Sequence, residues 1–192
     1  RDSLPQTVKA ALRDVIDSIA LAENNAYVGS ANTGVTATEY GTPYQHTTVL
    51  TFNVTDAITV ADNAALADGY ELYAFPTGRI VINSASLSVG ISVAEDTTNT
   101  AAEAALGSAA ASGANATIGA AGATCENISG PADTIHCDGS AERTSQLATP
   151  VLLATGSNKV YLNVASTWGN TAGTDLTGDV FGTAIINWSF TL

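Results

Sequence analysis

The 192-residue sequence predicts a mostly β protein: a jelly-roll-like antiparallel β-sandwich with an N-terminal helical arm. Three observations predict it. Short stretches of strict apolar/polar alternation recur from residue 46 to the last residue, and a period of two belongs to half-buried strands. Gly, Asn, Asp and Pro punctuate the intervals, as turns require. At the start of the chain, by contrast, apolar residues recur every three or four positions, the period of a helix.

That first element spans residues 1–28. Pro5 stands at a first helical position with Ser3 as its cap. Val8, Leu12, Val15, Ile16 and Ile19 make one apolar stripe, widened by Ala20 and Leu21, and the pattern fades at Glu23-Asn24-Asn25. A lone amphipathic helix of this length is marginal in water, so its stripe needs a surface, either its own domain or a neighbouring subunit. These five residues are the candidate interface. Residues 29–45 read as an extended linker, and the sandwich domain occupies 46–192.

Within the sandwich, Leu50, Phe52 and Val54 alternate with Thr51 and Asn53, and Tyr70–Phe75 is a short run closed by Pro76-Thr77-Gly78. The longest alternation sets Leu87, Val89, Ile91 and Val93 against Ser86, Ser88, Gly90 and Ser92. Val160, Leu162 and Val164 repeat the pattern, and Ala184, Ile186, Trp188, Phe190 and Leu192 make the last strand. Residues 97–124 interrupt it with an Ala/Gly-rich run around Leu106 and Ile118. Gly107, Gly113 and Gly119 argue against the long helix that the alanines favour. The segment therefore reads as a long excursion with one short strand near Ala116-Thr117-Ile118, and long loops commonly serve function or interfaces.

Only 12% of residues are charged, about half the share in an average soluble domain. Thr, Ser, Asn and Gly take their place, a neutral polar surface suited to packing into a lattice or coat. The net charge is −12, distributed as −1 over residues 1–30 and −11 over residues 31–192. A body of that sign repels phosphate backbones and anionic lipids, so neither a nucleic-acid partner nor a membrane surface is expected. The asymmetry predicts two surfaces with different jobs.

Catalytic signatures are sparse. The chain lacks a nucleophile elbow, a His-Glu-x-x-His pair, a P-loop and a dinucleotide fingerprint. The reading is non-enzymatic, with no cofactor and no metal assigned. His46, just before a strand, reads as a rim residue. Cys125 and Cys137 bracket a polar loop and are the disulfide candidate. Closing a loop of that size stabilises by roughly 3 kcal/mol in the chain-entropy model and implies an oxidising environment; two reduced core thiols are the alternative. Asp133–Asp138 and Asn170–Asp179 concentrate oxygen ligands without EF-hand spacing, and turn capping explains both without calcium. Trp188 reads as core, and Trp168 as a loop residue that makes a weak sugar-stacking candidate.

One resemblance covers Thr47 to Leu192. Its carriers are Thr48-Val-Leu-Thr-Phe-Asn-Val-Thr-Asp56 with Ala57-Ile-Thr-Val60, then Ala67-Asp-Gly69, Phe75-Pro-Thr-Gly78, Ala94-Glu-Asp-Thr97 and Ala105-Leu-Gly107. Val164-Ala-Ser-Thr-Trp168 and Asp175-Leu-Thr177 complete the set. The segment resembles virion structural proteins of tailed phages, particularly aquatic ones. The resemblance implies a capsid decoration, or cement, protein: a homo-oligomer present in many copies on the outside of the capsid. Its implied partners are the major capsid protein and itself, a homotrimer being favoured over a homodimer because shells offer three-fold sites. It carries over no catalytic residues. A head fibre or other virion component, and a calcium-dependent carbohydrate-binding jelly-roll module, are the alternatives.

Overall fold

The computed structural model describes residues 28–42, 45–93, 101–130, 133–137, 142–143, 150–154 and 158–191. The expected arm, with Val8, Leu12, Val15, Ile16 and Ile19, lies outside the described residues. In chain order the strands begin with β1 (Ser30–Ala31), β2 (Val35–Gly41), β3 (Gln45–Val60), β4 (Ala65–Ala74), β5 (Ile80–Val93) and β6 (Ala101–Gly107). A one-turn helix, α1 (Ile118–Ala121), and a 3-10 turn at Ala123–Cys125 follow. The chain continues with β7 (Asp133–His136), β8 (Glu142–Arg143), β9 (Val151–Leu152), β10 (Lys159–Thr167) and β11 (Leu176–Phe190).

Two antiparallel sheets face each other, sandwich-like. Sheet A has the order β1-β4-β10-β6-β7; sheet B has the order β2-β3-β11-β5-β8, with β9 also paired to β5. Alternation makes these strands. In β3, His46, Thr48, Leu50, Phe52 and Val54 are buried, while Gln45, Thr51, Asn53 and Thr55 are exposed. Leu87, Val89 and Ile91 of β5 and Val180, Ala184, Ile186 and Trp188 of β11 enter the same core. Leu72, Leu106, Val160, Leu162 and Val164 of sheet A meet them there. Each fully buried side chain of this size contributes roughly 1.5–3 kcal/mol.

Two expectations are corrected. Residues 29–45 are not simply a linker: β1 pairs with the end of β4, and β2 pairs with β3 along its whole length, from Val35 opposite Phe52 to Gly41 opposite His46. Its Thr-rich alternation (Val35, Ala37 and Glu39 against Thr36, Thr38 and Tyr40) is an edge-strand pattern whose inward apolar residues, Val35 and Ala37, are small, which gives little hydrophobic signal. The alanine-rich excursion is corrected as well. Ala101–Gly107 is a strand inside sheet A, and the residues expected as a short strand, Ala116-Thr117-Ile118, lead instead into α1, capped by the Thr117 hydroxyl.

Sheet A is covered on its outer face by residues 108–130, so β6 is buried on both sides. Ala67, Ala105, Ala111, Ile118, Cys125 and Ala165 form a second small cluster there. Alanine allows the loop to approach the sheet closely, and at Gly107 even a Cβ would lie 2.4 Å from the Cys125 backbone. The buried Asn163 side chain ties the layers together. Its Nδ2 donates to the carbonyls of Ala109 (2.9 Å) and Cys125 (2.6 Å), and its Oδ1 accepts from the Ala111 amide at 2.8 Å.

Replacing Asn163 by Leu keeps the volume but removes the partners of two carbonyls and one amide, the Cys125 carbonyl and Ala111 amide bonds being buried and the Ala109 carbonyl bond part-buried. The two buried groups cost about 1–3 kcal/mol each, so the urea midpoint of Asn163→Leu should fall by the equivalent of at least about 2 kcal/mol. A variant as stable as the parent would show that Asn163 does not hold this layer.

Candidate functional site

The two ends of the sandwich differ in chemistry. At the first end β4 turns into β5 and β11 finishes. The turn is held by Asn158, whose Nδ2 donates to the carbonyls of Pro76 (3.1 Å) and Gly78 (2.8 Å), while the Thr191 amide donates to the Arg79 carbonyl at 2.9 Å. Beneath it lies an aromatic plug. The His46 ring stacks on Trp188 at 3.9 Å and 10°, and Phe75 and Phe190 meet Trp188 edge-on at 5.3 Å each. Tyr73 meets Phe75 edge-on at 5.1 Å and accepts from the Gly29 amide at 2.8 Å. Gly29 must be glycine here, because a Cβ would sit 2.3 Å from the Tyr73 hydroxyl. The chain N-terminal to β1 therefore joins the body at this end, directly over the plug.

The same end gathers two of the body's three bases. Arg79 is exposed, and Lys159 donates to Glu71 Oε2 at 2.7 Å. That hydrogen bond, helped by the nearby Tyr161 and Glu71 charges, holds the Lys159 ammonium above its ordinary pKa. Phe75, Arg79, Asn158 and Lys159 line a cavity of about 410 Å³. A second cavity of about 480 Å³, lined by Gln45, Thr47, Asn83, Asn187 and Ser189 among others, opens beside it.

The opposite end is acidic. Asp175 Oδ1 accepts from the Asp62 amide at 2.9 Å, and Asp179 Oδ1 accepts from the Asp56 amide at 2.9 Å. The Thr177 hydroxyl donates to Asp56 Oδ1. The buried Asn170 donates to the carbonyls of Val60 and Thr174 and accepts from the Ala172 amide, which fixes the loop that presents these acids. The segment Asn170–Asp179 thus works by capping backbone amides. Among the described residues no three His, Cys, Asp or Glu side chains are grouped to hold a metal ion.

Other predicted residues move. His46 is buried rather than at the rim, its Nδ1 3.6 Å from Glu39 Oε2 and neither ring nitrogen in a hydrogen bond among the described residues. It sits at the inward phase of β3, which alternation assigns once β3 is known to begin at Gln45. Trp168 is buried, donating Nε1 to the Leu66 carbonyl at 3.2 Å, and offers no sugar platform. The disulfide expected between Cys125 and Cys137 is not formed: both are buried thiols in different clusters, Cys125 in the alanine layer and Cys137 in the main core. Burial, and secondarily the Glu126 charge, pushes the Cys125 thiol up. Sequence reasoning passed over Arg79 and Asn163, which single residues in unremarkable surroundings do not announce.

No family model, no curated protein and no solved structure matches this chain.

Thiol titration in denaturant without reductant should count two cysteines per chain, and the native protein should react with neither at neutral pH. A count of zero in denaturant would mean a bridge.

Proposed function

We propose that this chain is a non-enzymatic structural protein of a tailed-phage virion that decorates and stabilises the outer surface of the capsid as a homo-oligomer, and that its sandwich is a jelly roll. The strand order supports the fold. Strands β3-β11-β5-β8 face β4-β10-β6-β7, the arrangement of one long hairpin rolled up, with β3 beside β11, β4 beside β10, β5 beside β8 and β6 beside β7. Jelly rolls occur in viral capsids and in lectins alike, so the fold does not choose between functions.

The polarity of the body carries the choice. The point where the chain enters β1, Arg79 and Lys159 share one end, while Asp56, Asp62, Asp175 and Asp179 lie toward the other. A decoration protein needs one adhesive end toward the shell. It also needs an acidic end toward solvent, which keeps particles apart. Many such copies add weak contacts whose avidity holds neighbouring capsid proteins together. The second reading, a carbohydrate-binding module, draws on the 480 Å³ cavity, whose Gln45, Thr47, Asn83, Asn187 and Ser189 side chains are all neutral hydrogen-bonding groups. Calcium has less support, since Asp175 and Asp179 already accept from backbone amides.

Purified protein added to expanded capsids lacking it should bind in symmetric, countable copies, and deletion of residues 1–27 should abolish that binding while leaving the β circular-dichroism spectrum intact. Bare capsids with the intact chain would end the decoration reading. A thermal shift on titrating neutral glycans would then favour the second.

A further inference from the structure

Among the described residues, sheet B is covered on one side only. Its inward residues fill the core, and its outward residues form a face of a different kind. One row across β2, β3, β11 and β5 reads Thr38, Val49, Ile185 and Ser86; the next reads Thr36, Thr51, Thr183 and Ser88. Arg143 of β8, opposite Ser88, stands at the edge of the second row. At the outward positions of β2, β3, β11 and β5 between Gln45 and Asn53 and their cross-strand partners there is no carboxylate, amine, guanidinium or imidazole. In a chain of net charge −12 that is a deliberate gap.

The exposed large hydrophobic side chains of the described residues all fall here. Tyr40 is 58%, Leu152 52% and Ile185 40% exposed. Ile185 stands at the centre, Tyr40 on the β2 edge, and Leu152 opposite the outward Val81 on the other edge. With strands about 4.8 Å apart and about 3.4 Å per residue, the face measures on the order of 600 Å². That approaches the roughly 800 Å² per partner of a standard interface.

The chemistry selects the occupant. Thr, Ser and Asn side chains are donors and acceptors at once, so such a face can hydrogen-bond to its own copy, which a carboxylate face cannot. A two-fold contact also requires a patch that matches itself. Two copies that repel through their acidic surfaces can meet here without placing any charge against its like.

We propose that two copies of this chain associate face to face through the outer surface of sheet B, about a two-fold axis centred near Ile185. The inference rests on the homo-oligomer part of the function proposed above and makes its unit a pair in place of the trimer that capsid three-fold sites favour. Because the acidic body opposes the contact and the outward positions of β2, β3, β11 and β5 bear no charge, added salt strengthens the pairing.

Light scattering on the full chain at roughly 200 µM, a concentration that also populates the weaker interfaces found at this size, should give twice the 19.4 kDa chain mass, with a larger paired fraction at high salt. Ile185→Glu sets two carboxylates against each other and should weaken pairing on the order of a hundredfold or more. Its melting temperature should stay close to the parent's, and Thr77→Glu, at the arm end, should pair normally. A single-chain or three-chain parent mass, pairing that weakens with salt, or a fully paired Ile185→Glu protein would overturn the proposal. If Ile185→Glu is monomeric yet still coats capsids, the pairing and the decoration reading both stand. A paired parent that leaves capsids bare upholds the pairing and ends the decoration reading.

Discussion

The pairing of β11 with both β3 and β5 is the constraint on which the body depends. From Leu176 to Ser189 this strand is matched to β3, from Val60 back to Gln45, and over nearly the same length to β5. Those partners lie more than eighty residues away in the chain, so sheet B closes only when the last element arrives. Contacts of such sequence separation carry a large loop-closure cost and make folding slow and cooperative. Trp188, whose indole donates to Thr48 at 2.8 Å, is the centre of the aromatic plug and rides on this same strand. The end that receives the N-terminal segment is thus organised by residues near the other terminus.

The two sheets solve the problem of their outer faces differently, and the composition follows. Sheet A hides its outer face under residues 108–130, with alanines for close approach and Asn163 to satisfy the loop's backbone. Among the described residues nothing covers the outer face of sheet B, which carries Thr and Ser in cross-strand ladders that tolerate water. Low charge and high alanine, which look like one compositional bias in the sequence, come from two unrelated surfaces.

Charge then separates along the other axis. The acids toward one end accept hydrogen bonds from backbone amides, so the same carboxylates that shape the loops also give that end its sign. The opposite end combines Arg79, Lys159 and the attachment point of a nearly neutral segment. A base-bearing end, an acidic end and a lateral face of Thr and Ser ladders are separable on one small body.

The sequence by itself determined the β class and most of the core strands, because period-two alternation is local: Leu50, Phe52 and Val54, or Leu87, Val89 and Ile91, announce their face without knowing their partners. It also determined the acidic body. The edge strand β2 and the alanine strand β6 were not legible, since small side chains carry almost no hydrophobic contrast and their burial comes from elements distant in the chain. Turn capping by Asp175 was legible as chemistry; that it caps Asp62 was not. Only the tertiary structure decided that His46 and Trp168 are buried, that Cys125 and Cys137 lie in different layers, and that Tyr40, Leu152 and Ile185 share one face. Each of these depends on register between strands far apart in sequence, and a local pattern holds no record of register.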